Sequence, residues 1–216
     1  MMKTGLLFDL DGTLLNTLED LLDATNYALR THGFPEKNLE QLRAVVGNGA
    51  ANQIRKSLPE GTDEQIVQQV LETYKPYYST HSQIKTKPYE GIKEAIKELA
   101  EKYPIAIVSN KPDNAVKGLC AFYFPGVYAL GEAADCPRKP AADMVLKAMA
   151  AIGVETCIYI GDSEVDILTA ANAGVPCLCV TWGFRDPEML QQAGGENFCH
   201  CTTEFVRTIE EMIHGK

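Results

Sequence analysis

Continuous apolar runs alternate along much of this chain with segments that carry apolar residues at helical spacing. Four runs are clear, at residues 6–8, 105–108, 157–160 and 177–181, and a weaker one lies at 127–130. The helical segments are at 91–102, 114–122, 141–152, 165–173 and 204–214. Strands without polar alternation are covered on both faces, so the pattern predicts an α/β fold built on a parallel sheet.

One long stretch, residues 16–87, interrupts this alternation because no strand pattern occurs in it. Its helical segments are one capped by Asn16 or Thr17 and stopped by Gly33, one at 39–46, one at 49–58, and one that begins at a Thr62–Gln65 capping box. We therefore predict an inserted helical cap domain at 16–87. The core domain would consist of 1–15 and 88–216.

The first strand is followed directly by Asp9-Leu10-Asp11-Gly12-Thr13. Side chains two apart on a strand point the same way, so Asp9 and Asp11 should emerge together at its carboxyl end. Two close carboxylates in a partly dry site repel each other, which a bound cation or a raised pKa of one carboxyl would offset. An acidic surface turn is the alternative interpretation, since Asp-Gly is a common turn signal.

Polar side chains also follow two other strands. Ser109 and Asn110 follow one, Asp162 and Asp166 follow another, and Lys139 begins a helix from which it can reach the same edge. Taken singly, these residues could be a turn, a helix cap and a solvated charge. Ligands of open parallel sheets bind outside the carboxyl ends of the strands, so their joint occurrence there predicts a single site.

The residue types at this edge suit phosphoryl transfer. Aspartates without clustered histidine or cysteine favour Mg²⁺ as the metal. Magnesium with a lysine and a serine hydroxyl can receive a phosphoryl group, whose transition state spreads negative charge over its oxygens. One aspartate could attack phosphorus to give an aspartyl phosphate. The other could protonate the leaving oxygen and later deprotonate water.

Composition narrows the classes of protein that remain. The 216-residue chain has a formal net charge of −9, which argues against a general nucleic-acid binder or a partner of anionic membranes. No apolar run approaches the roughly 20 residues of a membrane span, and the first residues lead into a strand, so we expect a cytoplasmic protein. The seven cysteines lack the usual zinc spacing, and those in apolar runs are expected to be buried thiols.

Four segments in chain order resemble the motifs of the haloacid dehalogenase superfamily. They are Asp9-Leu10-Asp11-Gly12-Thr13, Ser109, Lys139-Pro140 and Gly161-Asp162-Ser163-Glu164-Val165-Asp166. The resemblance spans the chain and implies a Rossmann-like core with a helical cap. It also implies a magnesium-dependent hydrolase of phosphoric monoesters.

The same resemblance assigns roles to individual residues. Asp9 would be the nucleophile and Asp11 the general acid and base. Ser109 and Lys139 would hold the phosphoryl group, with Gly12, Thr13 and Asn110 as further binding residues, and Thr13 would orient the nucleophile. The implied magnesium ligands are Asp9, the backbone carbonyl of Asp11, and Asp162, with Asp166 as an additional acid near the lysine.

Within the superfamily the nearest resemblance is to phosphoglycolate phosphatases, through residues 45–50, 109–112 and 180–184. One departure is that the second proline usual after Lys139-Pro140 is absent. This resemblance implies a small phosphorylated metabolite as substrate and a monomer or homodimer. The cap loop Gly47-Asn48-Gly49 could contact that substrate or simply join two helices, and the sequence favours neither.

Other activities of the superfamily stay open. A pyrophosphatase or a sugar-phosphate mutase would use the same core residues. A dehalogenase is disfavoured because its members lack the acid at Asp11. A phosphonate hydrolase would need a cap lysine, for which Lys56 is the candidate, although a solvated face suits Lys56 better. A catalytically silent binding protein would be expected to have lost an essential side chain, and none of those named above is missing.

Overall fold

The computed structural model describes residues 3–215, which contain a six-stranded sheet and a two-stranded ribbon. The strands are β1 (Thr4–Phe8), β2 (Leu15–Asn16), β3 (Lys87–Pro88), β4 (Ile105–Pro112), β5 (Tyr128–Glu132), β6 (Thr156–Gly161), β7 (Cys177–Val180) and β8 (Asn197–Cys199). The large sheet has the order β5-β4-β1-β6-β7-β8, and each neighbouring pair is parallel. The predicted α/β parallel-sheet fold is therefore confirmed.

Ten α-helices occur in the described part of the chain. They are α1 (Leu18–Thr31), α2 (Leu39–Arg43), α3 (Gly49–Ser57), α4 (Glu64–His81), α5 (Ile92–Lys102), α6 (Asp113–Tyr123), α7 (Asp143–Ile152), α8 (Glu164–Ala173), α9 (Pro187–Gln192) and α10 (Phe205–His214). None of the described helices is both long enough and apolar enough to cross a membrane.

Successive residues of β1 face opposite sides of the sheet, and both sides are covered. Leu6 and Phe8 pack into an apolar cluster with residues of α5, α6 and α10, whereas Leu7 packs with residues of α7 and α8. The chain adds β4 and β5 on one side of β1 and then β6, β7 and β8 on the other. The carboxyl end of β1 thus lies at the point where the strand order reverses, which is where such sheets bind ligands.

Helices α1 to α4 pack around an apolar cluster of their own. Its buried members include Leu29, Leu42, Ile54 and Val70, and Phe184 from the loop after β7 joins it. The ribbon of β2 and β3 pairs the two ends of this helical stretch. These features support the predicted cap at 16–87 and core at 1–15 and 88–216, although the division into domains stays a prediction.

A buried carboxylate holds the end of the helical insertion beside its beginning. Asp20 in α1 is 2% exposed and accepts backbone N–H groups of Ile84, Lys85 and Thr86 at 2.8–3.1 Å. A carboxylate that accepts several backbone donors is satisfied in the absence of water. The end of the helical insertion is therefore tied to its beginning beside the β2–β3 ribbon.

Most predicted elements are present, and the differences have local causes. The strand β8 and the helix α9 were not predicted because three and six residues are too short for a periodic pattern. The capping box at Thr62 was wrong. The N-cap is Asp63, whose carboxylate accepts the backbone N–H of Gln65 at 2.7 Å. The seven cysteines are free. Cys157 and Cys179 are buried thiols as predicted, whereas Cys177, which also lies in an apolar run, is only half-buried.

Candidate active site

The carboxylate at the end of β1 is held by a lysine from the loop before α7. The Lys139 ammonium donates to Asp9 Oδ1 at 2.6 Å, and both residues are buried. It also donates to Asp166 Oδ1 at 2.8 Å and to the Tyr159 hydroxyl at 2.9 Å. An ammonium has three N–H donors, so the contacts of Lys139 occupy all of them.

Asp166 is committed to this lysine and to the start of its own helix. Its second oxygen, Oδ2, accepts the Ser163 hydroxyl at 2.6 Å and the Ser163 backbone N–H at 3.1 Å. This contact is the reciprocal half of a capping box that begins α8. The prediction that Asp166 lies near the lysine is confirmed, and its side chain fixes the position of Lys139.

Asp162 lies at the end of β6 and is oriented by two donors. Thr13 donates its hydroxyl to Asp162 Oδ1 at 3.1 Å, and the backbone N–H of Phe184 donates to Oδ2 at 2.6 Å. The predicted contact of Thr13 with the nucleophile is therefore not the one observed, because the hydroxyl of Thr13 points to Asp162. Gly12 likewise packs on Asp162 and does not line the cavity described below.

Two glycines make room for the Asp162 carboxylate. A Cβ on Gly12 would lie 2.2 Å from Asp162 Oδ2, and a Cβ on Gly183 would lie 2.3 Å from the same oxygen. Gly12 also has φ +89°, a left-handed conformation that favours glycine. The sequence therefore needs glycine at both positions to let this acid lie beside the end of β1.

Three carboxylates and one ammonium share this part of the site. One oxygen from each of Asp9, Asp162 and Asp166 lies within 4.8 Å of the others. Burial, followed by the charge of Asp166, raises the pKa of Asp162 to about 7. Burial also raises the pKa of Asp9 well above its usual value, against the opposing effect of Lys139. For Lys139 burial opposes the charged form, but Asp166 and Asp9 outweigh it and raise its pKa.

These groups fit a divalent cation. Three carboxylates less one ammonium leave two negative charges, and hard oxygen ligands are those that Mg²⁺ prefers. Asp9 and Asp162 are the side chains available to it, because each oxygen of Asp166 accepts two hydrogen bonds, whereas each oxygen of Asp162 accepts only one. The Asp11 carboxylate does not belong to the cluster, which agrees with the prediction that any contact of Asp11 with the metal is through its backbone.

A small cavity of about 40 Å³, partly open to solvent, lies above these groups. Its floor consists of core residues and its roof of residues from the helical insertion. The floor contains Asp9, Asp11, Ser109, Asn110, Lys111, Lys139, Asp162 and Ser163, and the roof contains Leu21, Val46, Gly47, Gly49, Ala50, Gln53, Tyr74 and Tyr78. Of the predicted cap loop, Gly47 and Gly49 line the cavity and Asn48 does not.

The sequence and the fold of this chain are similar to those of known proteins. Residues 6–180 match the family model of haloacid dehalogenase-like hydrolases. The chain belongs to this family. A phosphoglycolate phosphatase of Rhodobacter capsulatus is 34% identical over 196 residues, which cover 85% of this chain and 87% of that protein. A phosphoglycolate phosphatase of Xanthomonas campestris pv. campestris is 33% identical and covers 84% of each chain.

A solved structure shows the same fold throughout. The crystal structure of a Lactobacillus delbrueckii subsp. bulgaricus protein, named provisionally as a phosphoglycolate phosphatase, has a TM-score of 0.91 at 36% identity. The alignment covers 97% of this chain and 99% of that one. The predicted superfamily, the resemblance to phosphoglycolate phosphatases and the prediction of a phosphatase are thereby confirmed.

Within this haloacid dehalogenase-like site, the second aspartate is separated from the cluster of Asp9, Asp162 and Asp166. The Asp11 carboxylate accepts the Thr17 hydroxyl at 2.6 Å and lies 3.1 Å from the Lys111 ammonium, both through Oδ1. Lys111 in turn donates to the Tyr78 hydroxyl of the roof at 2.5 Å. Sequence reasoning noted Lys111 at a strand end but assigned it no role. The signal available was its spacing, because it lies two residues after Ser109 on the same strand.

Two residues of β4, Ser109 and Asn110, were predicted to bind the phosphoryl group, and their side chains differ in how free they are to do so. Ser109 is buried and lines the cavity, and its hydroxyl accepts the Lys111 backbone N–H at 3.3 Å. The side chain of Asn110 binds the Lys139 backbone twice, donating to its carbonyl at 2.9 Å and accepting its N–H at 2.8 Å. Asn110 therefore positions the lysine, and its role in holding the phosphoryl group stays a prediction.

Two arginines join the roof to the loop after β7. Arg43 donates to the carbonyl oxygens of Phe184 at 2.7 Å and Gly183 at 3.2 Å. Arg185 donates back across the interface to the carbonyl oxygens of Arg43 at 2.8 Å and Val46 at 2.7 Å. Sequence reasoning missed both residues, because each binds carbonyl groups about 140 positions away. Lys56 is exposed and does not line the cavity, as its predicted solvated role requires.

Proposed function

We propose that the protein is a Mg²⁺-dependent phosphatase that hydrolyses a small phosphomonoester through an aspartyl phosphate on Asp9, with phosphoglycolate as the favoured substrate. The observation that carries this proposal is the position of Asp9. Its carboxylate lines the cavity, is held by Lys139, and lies within 4.8 Å of Asp162. The names of the bacterial relatives support the choice of substrate.

In the first half of the proposed reaction, an Asp9 oxygen attacks phosphorus and the bond from phosphorus to the leaving oxygen breaks. Lys139 donates to Oδ1, so we assign the attack to Oδ2. Asp11 donates its proton to the departing oxygen. Ser109 holds a phosphoryl oxygen, and Lys139, whose three N–H donors are engaged, opposes the negative charge of the phosphoryl oxygens through its own charge beside Asp9.

In the second half, Asp11 removes a proton from a water molecule, whose oxygen attacks phosphorus. The bond from Asp9 to phosphorus breaks and inorganic phosphate leaves. Asp9, Asp162 and the backbone carbonyl of Asp11 would hold Mg²⁺, which would supply positive charge against the phosphoryl oxygens. The small cavity favours a substrate of few atoms.

The test is phosphate release in the presence of Mg²⁺ from phosphoglycolate, ethyl phosphate, pyrophosphate and an aryl phosphate. We expect phosphoglycolate to have the highest kcat/KM. Asp9→Asn should lower kcat by about 10⁴-fold or more, because it removes the nucleophile. Asp143→Asn is the matched control, since Asp143 is an exposed acid at the start of α7.

Equal rates for Asp9→Asn and the parent would contradict the nucleophile assignment. Faster release from pyrophosphate than from phosphoglycolate would favour the pyrophosphatase alternative, and no release by the parent would favour a silent binding protein. A mutase would instead transfer phosphate between sugar phosphates. The cytoplasmic location and the monomeric or homodimeric state remain predictions.

A further inference from the structure

Lys111 is a buried cation at the boundary between floor and roof. It lies two residues after Ser109 on β4, and its side chain is 3% exposed. Its ammonium lies 3.1 Å from Asp11 Oδ1, 2.5 Å from the Tyr78 hydroxyl and 4.5 Å from the centre of the Tyr78 ring. The phosphoryl chemistry proposed above gives this cation nothing to do.

The contacts of Lys111 leave it able to bind a ligand, unlike those of Lys139. Lys139 uses all three N–H donors on Asp9, Asp166 and Tyr159. Lys111 uses two of its N–H donors, on Asp11 and Tyr78, so its third donor is available to a ligand. Arg185, the remaining cation of the cavity wall, is paired with Glu164 and with carbonyl groups of the roof.

The surroundings of Lys111 favour an anion as that partner. None of the described roof residues that line the cavity carries a charge. They are residues with aliphatic side chains, glycines, Gln53, Tyr74 and Tyr78. In such a dry setting a charge-assisted hydrogen bond is stronger than a neutral one. Binding of a second anion beside Asp11 would bring the ammonium into contact with two negative groups, as Lys139 already is.

The position of Lys111 beside Asp11 indicates which part of the substrate carries this anion. Asp11 is the residue assigned to protonate the leaving oxygen, so a group 3.1 Å from its carboxylate lies on the leaving-group side. A carboxylate on the carbon next to the leaving oxygen would be close enough to reach the same ammonium. The small volume of the cavity, about 40 Å³, favours a short connection between the phosphate and this carboxylate.

We propose that Lys111, held by the Tyr78 hydroxyl, binds a carboxylate on the leaving group and thereby selects substrates that carry one next to the phosphate ester. This inference rests on the proposed function, because it assigns specificity to the same site. The alternative is that Lys111 only holds Asp11 in place, in which case its loss would slow all phosphate esters equally.

The experiment compares phosphoglycolate with ethyl phosphate, which has a similar size but no carboxylate. For the parent and Lys111→Met, kcat/KM is measured on both esters and the ratio is taken. Loss of one hydrogen bond to a charged group should lower the ratio by about 10- to 100-fold. Tyr78→Phe should lower it in the same direction by a smaller factor, because the ammonium loses its anchor. Lys117→Met, at an exposed lysine of α6, is the matched control.

A ratio unchanged within about twofold, with both esters slowed, would overturn the inference and leave Lys111 as a positioning residue for Asp11. A larger loss on pyrophosphate than on phosphoglycolate would overturn the carboxylate assignment in favour of a second phosphate. If the parent hydrolyses neither ester, the proposed function itself fails. Residual hydrolysis of ethyl phosphate by Lys111→Met also reports that the variant is folded.

Discussion

The floor and the roof of the cavity are built from different kinds of residue. The floor side chains are charged or polar, and several are held by partners far away in sequence, as Lys139 is by Asp9 and Asp166. The roof offers aliphatic groups, an amide and two phenols. The floor can therefore carry the reaction, whereas the roof sets the size of the space and limits the access of water. Lys111 belongs to the floor but contacts both.

The largest expected effect comes from removing Lys139, which lies on the floor between Asp9 and Asp166. Lys139→Met leaves Asp9 and Asp166 buried without a cation, so the free energy of unfolding should fall by about 3–5 kcal/mol. Turnover should fall by about 10²- to 10³-fold at temperatures where the variant is folded. Thermal or urea unfolding and phosphate release measure the two effects.

Lys111→Met is the comparison for this experiment, because it removes a buried lysine from the boundary with the roof. It should destabilise the protein less, since Asp11 keeps the hydrogen bond from Thr17 and is more exposed than Asp9. Lys147→Met, at a lysine with an exposed side chain, is the surface control. Equal destabilisation by Lys139→Met and Lys147→Met would contradict the account of the floor.

A smaller effect is expected from crowding Asp162 within the cluster of Asp9, Asp162 and Asp166. Gly183→Ala would place a Cβ 2.3 Å from Asp162 Cβ, so the carboxylate must shift. We expect a loss of about 1–3 kcal/mol in the free energy of unfolding. Half-maximal activity should also require a higher Mg²⁺ concentration, which a titration of activity against Mg²⁺ measures.

The matched control is Gly118→Ala in α6, where the nearest neighbour of the new Cβ, Gln83 Nε2, would lie 4.0 Å away. A helical Gly→Ala change should stabilise the protein by about 0.5–1 kcal/mol. If both variants have the same Mg²⁺ dependence as the parent, Asp162 is not a ligand whose position matters.

The smallest effect should come from the contact between roof and core. Arg43→Ala removes hydrogen bonds to the carbonyl groups of Gly183 and Phe184, so the closed arrangement is less favoured. KM should rise by about 5- to 10-fold, as expected for a net loss of one ordinary hydrogen bond, while kcat changes less than KM. Arg30→Ala, which breaks an ion pair within the insertion only, serves as control. A fall in kcat with constant KM would show that Arg43 affects chemistry and not closure.

The same contrast explains what could be predicted from sequence. Four site residues were predicted because they lie at or near strand ends that the order of strands brings together, namely Asp9, Asp11, Ser109 and Asp162. Lys139 was predicted from its place at the start of a helix that can reach the same edge. The partner of Thr13 was not predicted correctly, because strand spacing does not say whether a hydroxyl reaches Asp9 or Asp162. The roof was least predictable. Tyr78 looks like one more apolar position of α4, and its contact with Lys111 depends on how the insertion packs on the core.

The central claim is that Asp9 carries the phosphoryl group during turnover. Its most direct test is a rapid acid quench of the parent with phosphoglycolate and Mg²⁺, followed by mass spectrometry of the intact chain and its peptides. We predict a transient adduct of one phosphoryl group that maps to Asp9 and is absent from Asp9→Asn. A phosphoryl adduct on a different residue, or the same adduct in Asp9→Asn, would contradict the account.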